Sequence, residues 1–112
     1  MYCSSVVPIG YLECDGSSIS RTTYANLFAV IGTNFGSANI NSFNLPETRG
    51  LFPRGWNHSS TNTPYNDPDA LTRIASNTGG STGDSIGTKQ VDQFKSHSHT
   101  FSGNYTQPTY VT

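Results

Sequence analysis

The segment from Asn44 to Trp56 reads NLPETRGLFPRGW. Its two prolines and two glycines exclude a continuous helix or a central strand, so we predict an irregular segment. Arg49 and Arg54 are expected to donate hydrogen bonds to loop carbonyls or carboxylates, which would hold a chain with few backbone ladders. Ligand contact is the alternative role for both arginines. Three apolar side chains are expected to anchor the segment on the core: Leu45, Phe52 and Trp56.

Upstream of this segment lies the strongest helix signal in the sequence. Ser20 is a suitable N-cap, and we predict a helix over residues 21–31. Gly32 stands where a left-handed C-terminal cap would end it. The apolar face follows the i, i+3, i+4, i+7 spacing of a helix and consists of Tyr24, Leu27, Phe28 and Ile31. We expect this face to pack against Leu12, Leu45 and Phe52.

Residues 6–14 read as a strand pair or a bent strand that is interrupted by Pro8-Ile9-Gly10. The Asp15-Gly16 pair predicts a tight turn, because glycine supplies the positive φ that such turns need. The helix is expected to pack on a short sheet that contains Tyr11 and Leu12. The two cysteines, Cys3 and Cys14, are either cross-linked across a hairpin or present as two free, partly buried thiols.

Residues 57–90 contain few apolar groups. Residues 66–69 followed by Ala-Leu-Thr-Arg predict one or two helical turns, and Asp67 and Asp69 are interpreted as part of a surface turn rather than half of a calcium loop. The rest is expected to be a mobile loop unless another chain covers it. The few apolar residues are Tyr65, Ala70, Leu71, Ile74, Ala75 and Ile86.

Composition narrows the class of protein. Only 33% of the 112 residues are hydrophobic and 12% are charged, whereas Ser, Thr, Asn and Gly together make up 50 residues. This excludes a helical bundle or coiled coil. Six Lys and Arg residues and a net charge of −1 predict no nucleic-acid partner, and no apolar run is long enough to predict membrane insertion. A chain of this kind often needs partner chains, a metal or a cross-link to stay folded.

Near the C-terminus, the segment SHSHTF places two histidines two residues apart. In a strand, residues i and i+2 share a face, so His97 and His99 would project side by side. Two imidazoles make a bidentate clamp suited to zinc, iron, nickel or copper, although both could simply line a strand face. His58 could supply a third ligand and Asp92 a general base, but no spacing singles them out.

The sequence offers little for catalysis. No Ser or Cys nucleophile lies in a recognisable elbow, and Glu13 and Glu47 do not form a glycosidase pair. Two histidines alone do not complete a catalytic zinc site, which has three protein ligands and a water. We therefore predict that the chain is not an enzyme.

Three blocks of the chain, in order, resemble the phage tail collar domain found in tail fibre proteins. They are GYLECDG at residues 10–16, the segment from Ser20 to Gly36, and FNLPETRGLFPRG at residues 43–55, the most specific of the three. The resemblance assigns structural roles to thirteen residues: Asp15, Gly16, Tyr24, Leu27, Phe28, Ile31, Asn44, Pro46, Arg49, Gly50, Phe52, Arg54 and Gly55.

The histidine pair is similar to those of tail fibre tips, in which three chains intertwine and their histidines converge on a metal at the three-fold axis. The resemblance implies that His97 and His99 are ligands, with six imidazoles and about one metal ion per homotrimer. Iron and zinc are the metals that the family suggests, and an octahedral all-nitrogen shell favours iron.

The predicted fold is therefore α+β and loop-rich. A collar-like domain at residues 1–56 has a small sheet and one short helix, residues 57–90 form a polar insertion, and residues 91–112 form an extended, trimer-intertwined β segment. The implied function is a structural and adhesive component of a phage tail, as a tail fibre or baseplate module, assembled in the host cytoplasm. Its expected partners are itself, other tail proteins and a host receptor or glycan. The alternatives are a purely architectural connector and, third, a metal-dependent enzyme acting on surface glycans.

Overall fold

The computed structural model describes residues 5–62, 64–91 and 98. This part of the chain contains six short elements and is otherwise irregular, which confirms the loop-rich α+β class. The 91–112 segment lies outside the described residues except for Val91 and Ser98. The prediction that it is intertwined in a trimer therefore falls on residues that the structure does not describe. The elements are β1 (Ser18–Ser20), α1 (Ala25–Ile31), β2 (Ser42–Asn44), a 3₁₀ turn (Ala70–Thr72), β3 (Ile74–Ala75) and β4 (Thr88–Lys89).

The centre of the N-terminal half is a two-stranded antiparallel sheet. β1 pairs with β2 so that Ile19 lies opposite Phe43, and residues facing each other across a ladder share a face of the sheet. Phe43 is fully buried and Leu45 is 5% exposed. The ring of Phe28 lies 5.2 Å from that of Phe43 at an angle of 50°. The apolar core therefore forms where α1 crosses β2.

Helix α1 is shorter than the predicted helix over residues 21–31. It begins at Ala25, because residues 21–24 form a turn in which the Ser20 hydroxyl accepts hydrogen bonds from the backbone N–H groups of Thr22 and Thr23. At its other end Gly32 has a positive φ of 55° and donates to the Phe28 carbonyl. The helix therefore ends at the predicted glycine, but the ψ of −137° shows that Gly32 does not form the predicted left-handed cap. None of its residues is fully buried, because a sheet of two three-residue strands is too small to cover a helix face.

Arg21 joins the turn before α1 to the loop that leads into β2. Its Nε donates to the Ser42 carbonyl at 2.8 Å, and its second guanidinium nitrogen donates to the Ser37 hydroxyl at 3.0 Å. The same guanidinium lies 4.5 Å above the Phe28 ring, at a distance where a cation is attracted to an aromatic face. Arg21 thus covers the edge of the small core.

Several residues expected in the core lie at the surface. Phe52 is 98% exposed and Leu12 is 40% exposed, so their assignment to the helix-packing core is wrong. Trp56 is 46% exposed and Tyr24 is 37% exposed, so both side chains are only partly buried. The chain turns at Gly50, which has a φ of 70°, and this turn leads Phe52 away from the Phe43 cluster.

The predicted strand at residues 6–14 is also wrong. This part of the chain has a turn in which the Tyr11 N–H donates to the Pro8 carbonyl, and Gly10 has a φ of 86°. Among the described residues, the first one in a ladder is Asp15, which forms an isolated bridge with Glu47. The sheet beside α1 accordingly contains Ser18–Ser20 rather than Tyr11 and Leu12. Cys14 is a free thiol and is exposed rather than partly buried.

The described residues between 57 and 90 are more ordered than the sequence suggests. The predicted helical turn is present as the 3₁₀ turn at Ala70–Thr72, and β3 pairs with β4 through Ile74 and Lys89. The loop between these strands is hydrogen-bonded to the N-terminal half. The Ser37 N–H donates to the Thr78 carbonyl, and the Ser81 N–H donates to the Asn34 carbonyl. This loop is therefore supported by its own chain, which the sequence did not predict.

Glycine permits the close approach of these two segments. Gly36 has a φ of 113°, and a Cβ placed there would lie 2.7 Å from the Cβ of Asn77. Asn77 in turn donates through its amide to the Phe35 carbonyl at 3.0 Å. We call the contact between residues 34–37 and residues 77–81 the loop junction. It fixes the position of the β3–β4 hairpin on the N-terminal half.

Candidate functional site

The Asp15-Gly16 turn is held against the segment that follows β2. Asp15 accepts a hydrogen bond from the Ser17 N–H at 2.9 Å, and Gly16 has a φ of 73° with the Glu47 side chain packed beside it. The Asn44 amide donates to the Gly16 carbonyl at 2.9 Å, and the Gly16 N–H donates to the Pro46 carbonyl. The structure thus brings four of the predicted structural residues together at one turn: Asp15, Gly16, Asn44 and Pro46.

Arg49 closes this turn from the outside. Its guanidinium donates to both carboxylate oxygens of Glu47, at 2.9 and 2.6 Å, and to the Asp15 carbonyl at 2.8 Å. The side-chain and backbone hydrogen bonds from Arg49 lower the pKa of Glu47 from 4.5 to about 2, because they stabilise the ionised carboxylate. Hydrogen bonding by Ser17 likewise lowers the pKa of Asp15. Arg49 therefore binds both a carboxylate and a loop carbonyl, as the sequence suggested.

Arg54 is fixed by a second carboxylate, that of Asp67. Its guanidinium donates to Asp67 Oδ1 at 2.8 Å and to the Gln90 side chain at 2.7 Å. Asp67 Oδ2 accepts from Arg73, and Oδ1 also accepts from the Asp69 N–H. The Asp67 and Arg73 side chains are only 5% and 7% exposed. Asp67 is thus a buried anchor for two guanidinium groups, and its assignment to a surface turn is wrong.

Trp56 and His58 form an aromatic pair at the end of the irregular segment. Their ring centroids are 4.2 Å apart, and the indole N–H donates to the Asp84 carbonyl at 3.2 Å. His58 and Ser59 both have positive φ values, which are costly for residues other than glycine. The Asp84 carboxylate supports this turn by accepting from the Ser59 N–H, and that hydrogen bond lowers the pKa of Asp84.

An open cleft of about 540 Å³ separates the irregular segment from the β3–β4 hairpin. Its lining includes Leu51, Phe52, Trp56, Ile86 and Lys89. Phe52 is the most exposed of these apolar side chains. The rest of the lining is largely polar and includes Glu47, Arg54, Arg73 and Gln90, so the cleft has a mixed surface rather than the mainly apolar one of a small-molecule pocket.

The two predicted metal ligands, His97 and His99, lie outside the described residues. In the part of the chain that the structure describes, no three His, Cys, Asp or Glu side chains come together as a metal site. His58 stacks on Trp56, and Asp92 is not among the described residues. Across the same described ranges, no helix has the length and apolar character needed to span a bilayer.

The sequence analysis did not predict the role of three residues that hold this region together. Asp67, Arg73 and Asp84 each hold a loop by a side-chain interaction, and their partners lie 6 to 27 positions away in the chain. The sequence feature that could have pointed to them is that charged side chains of both signs occur in a segment with few charges. Of the two predicted structural glycines in this segment, Gly50 occupies a turn with a positive φ, which favours glycine. Gly55 has no positive φ, and a Cβ there would meet nothing within 4 Å, so the structure shows no requirement for glycine at that position.

Residues 1–53, slightly less than half of the chain, match the model of the Phage Tail Collar Domain family, which supports the resemblance found in the sequence. It is also similar to Protein RhiB of Rhizobium leguminosarum bv. viciae, with 33% identity over 103 residues. That match covers 84% of this chain and 45% of RhiB, so the chain spans less than half the length of this relative. The name RhiB states no activity. No solved structure matches the chain significantly.

Proposed function

We propose that this chain is a structural component of a phage tail, a homotrimeric tail fibre or baseplate module that helps the particle attach to its host. The collar domain at residues 1–53 carries the proposal, because this family belongs to tail fibre-type structural proteins rather than to enzymes. The module would be assembled in the host cytoplasm and remain in the virion tail, in contact with neighbouring tail or baseplate proteins.

The small core supports the homotrimer. Among the described residues only Phe43, Leu45 and Ala70 are buried apolar residues, whereas sixteen large apolar side chains are exposed. A chain with so little buried surface is marginal on its own. Association of identical chains would cover part of the exposed apolar surface and would add the free energy of that burial.

The histidine pair supports a metal at the three-fold axis of this trimer. Two imidazoles from His97 and His99 cannot fill a transition-metal shell, but six from three chains match an octahedral one. The donor set is therefore suited to iron or, as the second choice, zinc. The metal would join the three chain ends, and its role would be structural because no coordination position stays open.

Light scattering together with elemental analysis tests the trimer and its metal. Protein purified without an affinity tag should have the mass of three chains and about one metal per trimer. His97→Ala and His99→Ala should each remove three of the six ligands and lose the metal. His58→Ala is the matched control and should retain it, because His58 stacks on Trp56. A metal-free trimer would refute the metal site but not the trimer.

The attachment role is tested separately on particles and cells. Immunogold labelling with an antibody to this chain should place it at the distal end of the tail, and the purified trimer should compete with particles for adsorption to host cells. Labelling confined to the inner baseplate, with no competition, would instead support the architectural connector.

A further inference from the structure

The chain contains one Asp-Pro peptide bond, between Asp67 and Pro68. This is the kind of peptide bond that acid breaks most easily. The aspartate carboxylate can attack the carbonyl carbon of its own residue and close a cyclic anhydride. The proline nitrogen belongs to a tertiary amide, so it is more basic than other peptide nitrogens and leaves more readily once it is protonated. Asp67 therefore carries a nucleophile beside a weak bond.

The native fold holds the attacking carboxylate away from that bond. Asp67 Oδ1 accepts hydrogen bonds from Arg54 at 2.8 Å and from the Asp69 N–H at 3.1 Å, and Oδ2 accepts from Arg73. The Asp67 side chain is only 5% exposed. Either oxygen must give up these partners before it can reach the carbonyl carbon, and charge-assisted hydrogen bonds are among the strongest in proteins. We call Arg54, Arg73 and the Asp69 N–H the Asp67 cage.

The peptide group that would break is also fixed. The Asp67 carbonyl accepts a hydrogen bond from the Ala70 N–H at 3.3 Å, at the start of the 3₁₀ turn. The Asp67 N–H donates to the Asn57 side chain at 2.7 Å. Rotation of the Asp67 backbone towards the geometry of attack would break these two hydrogen bonds. The turn thus protects both the nucleophile and its target.

Acid acts on the charges around this carboxylate. Arg54 and Arg73 bind it directly, Asp69 lies in the same turn, and Asp84 interacts with Arg73 through its charge. At low pH the three carboxyl groups become protonated, whereas both guanidinium groups stay charged. Protonation of Asp67 removes its ion pairs and leaves the buried Arg73 without that counter-charge, which is costly. Acid therefore opens the cage, and it also supplies the proton that the proline nitrogen needs.

We propose that the bond between Asp67 and Pro68 is a latent self-cleavage site, which the Asp67 cage keeps intact and which acid opens. A carboxylate oxygen of Asp67 forms a bond to the Asp67 carbonyl carbon, and the bond from that carbon to the Pro68 nitrogen breaks. The electron pair of the broken bond stays on the nitrogen, which takes a proton from the acidic solution and becomes a new amino terminus. A water molecule then opens the anhydride, so the net reaction is hydrolysis and residue 67 ends in two carboxyl groups.

Cleavage at this bond would separate the collar-like part of the chain from its histidine pair. Residues 1–67 contain the stretch that matches the collar model, whereas residues 68–112 contain the β3–β4 hairpin together with His97 and His99. The hydrogen bonds of the loop junction would join the two pieces until the fold opens. The proposal depends neither on the homotrimer nor on its metal, because every contact that it uses lies within one chain.

Intact-mass spectrometry of the incubated protein tests the cleavage, at the lowest pH where circular dichroism still shows the native fold. In urea at that pH, which opens the cage, the wild-type chain should yield the fragments 1–67 and 68–112. Without urea the rate should be at least tenfold lower. Pro68→Ala is the chemical control and should yield neither fragment in urea. Equal wild-type rates with and without urea, or cleavage of Pro68→Ala at the same bond and rate, would overturn the proposal.

Arg73→Met tests the cage itself. It should raise the rate without urea at least tenfold, because losing one side of a buried ion pair costs more than the roughly 1.4 kcal/mol that a factor of ten represents. Arg73→Lys keeps a cation and should restore most of the protection. Leu45→Ala is the control for general destabilisation, because Leu45 is buried in the N-terminal core. If Arg73→Met and Leu45→Ala cleave equally fast when urea is used to match their free energies of unfolding, the protection comes from the fold as a whole and the cage is refuted.

Discussion

Asp67→Asn should destabilise the protein strongly, since it removes the charge that two arginines share. The Asp67 and Arg73 side chains are 5% and 7% exposed, whereas the Arg54 side chain is 50% exposed. The amide has nearly the shape of the carboxylate, so no cavity forms and the loss is electrostatic. Breaking a buried ion pair from one side costs about 3–5 kcal/mol. The exposed pair with Arg54 adds about 1 kcal/mol at most.

Urea unfolding followed by far-UV circular dichroism at a fixed protein concentration measures this loss. Asp69→Asn is the control, because Asp69 lies in the same turn and, among the described residues, its carboxylate accepts a hydrogen bond from Gln90 alone, at 3.4 Å. It should change stability by about 0.5 kcal/mol or less. The double variant Asp67→Asn/Arg73→Met should recover much of the loss, since it removes the unpaired buried charge. A loss below about 1 kcal/mol in Asp67→Asn would refute the buried anchor.

Three further substitutions test other parts of the fold. Gly36→Ala should lower the melting temperature, because the added Cβ would lie 2.7 Å from the Cβ of Asn77. Gly55→Ala is the control and should leave the melting temperature unchanged. Equal melting temperatures for the two variants would contradict the loop junction. Leu45→Ala should cost about 2–5 kcal/mol in urea unfolding, because Leu45 is 5% exposed, and a smaller loss would show that it is not in the core. Glu47 has its pKa lowered to about 2, so its contribution to stability is present above pH 4.5 and is lost as the pH falls towards 2. Glu47→Gln should therefore flatten the pH dependence of unfolding in that window, and a profile identical to that of the wild type would contradict the role of the Arg49 pair.

The sequence predicted the features that depend on local backbone chemistry. The Asp15-Gly16 turn, the glycine that ends α1 and the helical turn after Pro68 all follow from residues close together in the chain. The pairing of Arg49 and Arg54 with carboxylates or carbonyls also followed, because guanidinium groups in a loop of low charge have few other partners.

What the sequence did not predict depends on distant contacts. Periodicity marks Tyr24 as part of an apolar helix face, but how far that face is buried depends on the size of the sheet opposite, which is only two short strands. Phe52 is apolar, yet the turn at Gly50 leads it outward. Asp67 resembled a surface residue because its partners, Arg54 and Arg73, come from separate segments. No local pattern contains that information.

The absolute molar mass of the purified protein, measured together with its metal content, tests the central claim most directly. A homotrimeric tail module with His97 and His99 as ligands should have the mass of three 12.1 kDa chains and about one iron or zinc ion per trimer. Chelation or acidification should release the ion, since imidazole must be neutral to bind a metal, and trimer stability should fall with it. A well-folded, metal-free monomer at micromolar concentration would contradict the claim.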